Sequence, residues 1–148
     1  MSPGRSTGRM AERAALESGS AAPETAAFRS AEVGPILHFL TDADDPAGVV
    51  ATLLGALAPG SYVVASHVTP EHDPAGVGGL ERTYRQAGIP AQARTAAEFA
   101  ALAFRGLEMI EPGVVLVSEW RPPAGPRPPA AEVNWYGGIG RTTGCGPA

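Results

Sequence analysis

From residue 33 onward, apolar positions fall into short continuous runs and helix-spaced stripes, and the two kinds alternate. Val33 to Leu40 (VGPILHFL) predicts a buried strand. Pro35 has no amide to donate, so pairing is expected to begin after it. The polar run TDADD ends this block. Asp45 then serves as a helix cap with Pro46 in the first helical position. Val49, Val50, Leu53, Leu54 and Leu57 follow as one apolar stripe, and Pro59-Gly60 closes the helix. Ser61 to His67 (SYVVASH) predicts a second strand, apolar enough to be covered on both faces of a parallel sheet. Asp73-Pro74 repeats the helix-start signal, with Val77, Leu80 and Tyr84 on the inner face and Gly88 as the stop. Thr95 and Glu98 form a T-x-x-E capping box ahead of a helix carrying Phe99, Leu102 and Phe104. Leu107 to Ile110 and Val114 to Glu119 predict strand on either side of Glu111-Pro112-Gly113. A Pro-rich surface connection follows, and Val133 to Arg141 (VNWYGGIGR) predicts a final strand with a Gly-rich end.

The resulting order, β-α-β-α-α-β-β, is that of an α/β fold with parallel strands and helices on the sheet faces. The last two strands follow each other without a helix, which predicts an antiparallel pair. Residues 1–31 are Ala, Ser, Gly, Arg and Glu with almost no large apolar side chains, and read as a disordered polar segment. Residues 32–148 are then the folded unit, one domain in size.

Composition narrows the function classes. The net charge is −4 and all 11 formal cations are Arg, since the chain has no Lys. Schiff-base chemistry and a Walker-A phosphate loop both need Lys and are excluded. No basic stripe marks a nucleic-acid partner. The single Cys145 allows neither an intrachain disulfide nor a Cys-based zinc site. No apolar run is long enough for a membrane span, and no signal-peptide core appears, so a cytoplasmic location is expected.

The candidate chemistry is sparse. Gly76-Val77-Gly78 and Gly138-Ile139-Gly140 lack the third Gly and the strand–helix setting of a dinucleotide fingerprint. No G-x-S-x-G nucleophile elbow occurs. Asp42, Asp44 and Asp45 read as capping residues rather than a calcium loop, whose turn Gly and terminal Glu are absent. His67 and His72 with Glu71 and Asp73 could form a ligand set, but no H-E-x-x-H pattern supports it. Trp120, Trp135 and Tyr136 read first as core-edge anchors. His38 and His67 each fall at the carboxyl end of a predicted parallel strand, with Asp42 just beyond the first. In open α/β sheets that edge is where ligands bind.

Three blocks carry a resemblance: LHFLTDADDPAGVVATLLGALAPGSYVVASH, TYRQAGIPAQARTAAEFAALAFRGLEMIEPGVVLVSEWRP, and YGGIGR. Together, over residues 34 to 142, they resemble the actinobacterial S-adenosylmethionine-dependent methyltransferase family catalogued as DUF574. The resemblance implies a partial class I, Rossmann-like fold, with Val33–Leu40 as its fourth strand and Ser61–His67 as its fifth. The C-terminal antiparallel pair would close the sheet. Members carry an N-terminal half with three further strands, a Gly-rich cofactor loop and an acidic ribose-binding residue. Residues 1–32 hold neither the loop nor that residue, so the chain is expected to be the C-terminal half only, truncated or degenerate. The implied activity is methyl transfer from S-adenosylmethionine to a small-molecule acceptor. His38 and Asp42 would lie on the cofactor side, and His67 would orient the acceptor or take its proton. The alternative is a non-catalytic remnant or interaction module that pairs an exposed sheet edge with a partner chain or a second copy.

Overall fold

The computed structural model describes residues 30–33 and 36–144. Three helices begin where the local signals place them. Helix α1 (Pro46–Gly55) is capped by Asp45, which accepts from the Gly48 amide at 3.1 Å. Helix α2 (Pro74–Gln86) is capped by Asp73, which accepts from the Gly76 amide at 3.0 Å. Helix α3 (Ala96–Ala103) carries the reciprocal box, Glu98 amide to Thr95 Oγ1 at 3.2 Å and Thr95 amide to Glu98 Oε2 at 2.8 Å. A fourth, single-turn helix, α4 (Ala130–Val133), ends the Pro-rich connection, where only extended chain was expected.

Five strands form one sheet: β1 (Ser30–Glu32), β2 (Tyr62–Val68), β3 (Glu108–Met109), β4 (Val115–Leu116) and β5 (Trp135–Arg141). The spatial order is β1-β2-β5-β3, with β4 also on β5. β1 and β2 are parallel, Ser30 opposite Tyr62 and Glu32 opposite Val64. β5 runs antiparallel to β2 along its whole length, from Tyr62 opposite Arg141 to Val68 opposite Trp135. On its other side β3 and β4 are two pieces of one antiparallel edge, pairing Glu108 with Arg141 and Leu116 with Tyr136. The expected break at Glu111-Pro112-Gly113 separates them, and the antiparallel ending of the sheet is present.

The first strand is displaced from its expected position. Pairing ends before Pro35 rather than beginning after it: the Val33 amide still reaches Val64 O at 2.9 Å, and Leu37–Phe39 is a 3-10 turn. A missing amide terminates a ladder from either side, and here the upstream residues, Ser30 to Val33, hold the register. The strand thus begins inside the segment read as disordered; residues 1–29 of that segment lie outside the described residues.

The sheet is covered on both faces. On one face Val63 and Ala65 pack with Val33, Leu37, Val50 of α1, and Phe99, Ala103 and Phe104 of and after α3. On the other, Tyr62, Val64 and Ile139 pack under Trp120. The Gly-rich end of β5 has a packing cause. A Cβ on Gly140 would lie 2.9 Å from Leu107 Cδ1 and 3.1 Å from Phe104 Cδ1, so the glycine lets the aromatic layer sit against the strand. The predicted α1 stripe is narrower than its spacing implied: Val50 is buried, while Val49 and Leu53 are 40% and 39% exposed.

Candidate active site

The carboxyl ends of β1 and β2 lead into the turn 36–42 and the loop 69–73. Two further segments reach the same edge, the connection 92–95 before α3 and the start of β5. Backbone bonds tie them together: Gln92 N–H donates to His38 O at 2.8 Å, Arg94 N–H to Val68 O at 3.1 Å, and Thr69 N–H to Asn134 O at 2.9 Å.

The centre of this edge is Arg94, 4% exposed. Its Nη1 donates to His67 Nε2 at 3.0 Å and to Leu37 O at 3.4 Å. Its Nη2 donates to Leu40 O at 3.0 Å and to Asp42 Oδ1 at 2.9 Å. All four Nη hydrogens are thereby used, and the planar fork fixes the turn 37–42 against β2. Gln92 completes the hold on Asp42, donating Nε2 to Oδ2 at 3.0 Å and accepting the Asp42 amide at 2.9 Å. These bonds from Gln92 and Arg94 lower the Asp42 pKa and keep the carboxylate ionised, although its side chain is 78% exposed. Sequence reasoning missed Arg94. Its only local signal is its position at the foot of a capped helix, next to the residue that makes the capping box.

His67 is fully buried. Its Nδ1 donates to Val68 O at 2.8 Å, which leaves Nε2 as the acceptor for the guanidinium. Desolvation, with the Arg94 cation beside it, lowers its pKa to about 4. The ring is therefore neutral at ordinary pH, with both nitrogens engaged inside the protein.

His38 differs. It stands on the 3-10 turn beyond β1, 8% exposed, with the edge of its ring on Trp135 at 5.2 Å between centroids and His67 at 6.4 Å. Among the described residues its Nδ1 is buried and has no hydrogen-bond partner. Burial lowers its pKa as well. A buried polar atom without a partner costs stability unless something else satisfies it.

The acidic run divides its work. Asp44 accepts from Thr41 N–H at 2.8 Å, Asp45 caps α1, and Asp42 alone reaches the Arg94 centre. Among the described residues no three His, Cys, Asp or Glu side chains converge as metal ligands. No helix there is long and apolar enough to cross a membrane.

The described residues fit one end of a methionine-bearing nucleoside cofactor. The unpartnered His38 Nδ1 can bond a carboxylate or an amine, and the exposed Asp42 carboxylate suits an ammonium group. Among them no Gly-rich strand-to-helix turn is present to complete the hold on the cofactor.

A mixed sheet of this order, with an antiparallel strand inserted beside the parallel pair, is the C-terminal part of the class I methyltransferase fold. Comparison with known proteins agrees. The family described as S-adenosyl methyltransferase matches residues 31–143, and the chain belongs to it. A DUF574 family structure from Streptomyces avermitilis is similar at 34% identity and TM-score 0.72, over 90% of this chain and 52% of that one. A structure from Thermobifida fusca, described as a candidate methyltransferase, is similar at 35% identity and TM-score 0.65, over 77% of this chain and 43% of that one. A Methanosarcina mazei structure named for SAM-dependent methyltransferases, at 12% identity and TM-score 0.54, shares the fold alone. The chain thus spans about half the length of its two nearer structural relatives. No curated protein matches it.

Proposed function

We propose that this chain is the C-terminal half, residues 32–148, of an S-adenosylmethionine-dependent methyltransferase acting on a small-molecule acceptor. The observation that carries this reading is the family match over residues 31–143. When bound, the cofactor supplies an electrophilic methyl group on a sulfonium sulfur. The residues of this chain hold and orient. His38 offers Nδ1 to the methionine end, and Asp42 offers its free carboxylate lone pairs to the same end. His67 positions, staying neutral at ordinary pH: its bonds to Val68 O and Arg94 fix the guanidinium that in turn fixes the 37–42 turn. Alignment of acceptor and methyl group supplies much of the rate in such a displacement, so a rigid turn serves the chemistry. The actinobacterial relatives and the absence of a spanning helix among the described residues support an actinobacterial, cytoplasmic enzyme.

A second reading has its own observation. β1 is at the end of the sheet order and pairs only with β2 among the described strands, which leaves an edge for another chain or a second copy. Calorimetric titration of the purified chain with S-adenosylhomocysteine separates the two. Saturable micromolar binding supports the cofactor role. Absence of binding by a demonstrably folded protein rejects it for this chain and favours the interaction module, whose oligomeric state light scattering then measures.

A further inference from the structure

Gln92 lies on the same connection as Arg94, and three of its bonds run to the turn 37–42. Its Nε2 donates to Asp42 Oδ2 at 3.0 Å, and its Oε1 accepts the Asp42 amide at 2.9 Å. Its backbone amide donates to His38 O at 2.8 Å. One residue is thus bonded both to the histidine with the unpartnered Nδ1 and to the aspartate with the exposed carboxylate. The orientation of the Gln92 side-chain amide follows from its partners. A backbone N–H only donates and an ionised carboxylate only accepts, so Oε1 meets the first and Nε2 the second.

These bonds define Asp42 without saturating it. Arg94 holds Oδ1 and Gln92 holds Oδ2, one donor to each oxygen. A carboxylate has about four lone-pair sites, so about two remain. The side chain is largely exposed, and a ligand can reach them. The two donors differ in charge. The guanidinium offsets part of the carboxylate's field, whereas the Gln92 amide fixes the second oxygen without adding a cation that would repel an ammonium group. The bond from Gln92 is also the largest cause of the lowered Asp42 pKa, ahead of that from Arg94.

We propose that Gln92 is a positioning residue for the amino-acid end of the cofactor, holding the Asp42 carboxylate in one orientation so that the site selects ligands carrying an ammonium group. This rests on the methyl-transfer reading above and deepens it. An aspartate free to rotate would have to be ordered by the ligand, at a cost in affinity. The clamp meets that cost when the chain folds. Gln92 acts through Asp42 and touches no reacting atom.

The test compares two probes on the full chain, S-adenosylhomocysteine and 5′-methylthioadenosine, which share the thioether nucleoside and differ in the amino-acid group. Calorimetry reads their affinities in the unchanged chain and in Gln92→Met, whose side chain has similar length and makes neither bond. The expected result is a several-fold loss for S-adenosylhomocysteine, with 5′-methylthioadenosine unaffected and the urea midpoint in place. In an Asp42→Ala background the same substitution has no further effect. Carboxyl NMR without ligand shows the Asp42 titration midpoint raised in Gln92→Met, because a bond to the ionised form is gone. An equal loss for both probes, an unchanged S-adenosylhomocysteine affinity, additive effects in the double variant or an unmoved Asp42 midpoint overturns the proposal and leaves the methyl-transfer reading standing. Failure of the unchanged, folded chain to bind S-adenosylhomocysteine overturns that reading itself, and the proposal with it.

Discussion

Two histidines five residues apart, His67 in β2 and His72 on the loop after it, show what a sealed and a half-open polar site do. His67 is sealed: one nitrogen donates to a carbonyl, the other accepts from Arg94, and the guanidinium has no Nη hydrogen left for anything else. His72 has one nitrogen held by Tyr136 and is only partly buried. Low dielectric strengthens the sealed network and makes every one of its members costly to lose. Such a network holds shape. His72, tied at one ring nitrogen and only partly buried, has less to lose when its one bond is removed. His38 stands between them, buried like His67 but with an unpartnered Nδ1.

The sharpest way to break this contrast is at its centre. Arg94→Ala orphans His67 Nε2 and the carbonyl of Leu40, while the Leu37 carbonyl keeps the Leu40 amide. At about 1–3 kcal/mol for each buried group left unsatisfied, the loss is expected to reach about 3 kcal/mol or more. Urea denaturation measures it, and a midpoint near that of the unchanged chain would show that the network is not structural. Next is pH. The folded pKa of His67, about 4, lies below its ordinary value of 6.5, so the unfolded chain binds the extra proton first. Stability from this group is fully present above pH 6.5 and is lost as the pH falls toward 4. The loss is on the order of 3 kcal/mol, from about 1.4 kcal/mol per unit. In His67→Gln this part of the pH dependence of the urea midpoint should disappear, while the smaller contribution of His38, lowered in the same direction, remains.

A smaller effect is expected where the sheet is packed rather than polar. Gly140→Ala pushes a methyl into Leu107 and Phe104 and should cost about 1–3 kcal/mol without touching either histidine site. Thermal unfolding reads the shift, and the NMR signals of His67 and His72 should stay in place. The smallest effect on stability belongs to Asp42→Asn. Its carboxylate is the exposed arm of the Arg94 fork, so the urea midpoint should hardly move. Binding of S-adenosylhomocysteine should weaken all the same, if Asp42 acts on the cofactor side.

Helix starts were the most legible part of the sequence. Asp45-Pro46, Asp73-Pro74 and the Thr95–Glu98 box are local devices, complete within one turn, and each is in place. Strand β2 was legible for the same reason, since five consecutive apolar or small residues need cover on both sides. β1 was harder. Its pairing depends on β2, and the apolar run beyond Pro35 resembled a strand while folding as a turn. Arg94 was not legible at all. Its acceptors come from Leu37, Leu40, Asp42 and His67, far from it in sequence, and composition reads a lone Arg as surface charge. His38 and His67 were recognised as edge residues and His72 only as part of a loop, and how differently His67 and His72 are engaged was not read. That difference depends on Tyr136 and Arg94, which reach the edge from other segments.

The insertion of β5 between β2 and the β3–β4 edge also has a consequence in time. On the ribosome, β3 and β4 emerge with no neighbouring strand, because the one they pair with comes later in the chain. The glycines that admit Leu107 and Phe104 are made after both of them. Until they arrive, that aromatic layer can rest on β2 and α1 alone, and the long-range pairing must wait for its own loop to close. Synthesis of this sheet therefore passes through a stage at which its apolar residues are present and its central antiparallel strand is not, the interval in which a nascent chain most needs protection from its neighbours.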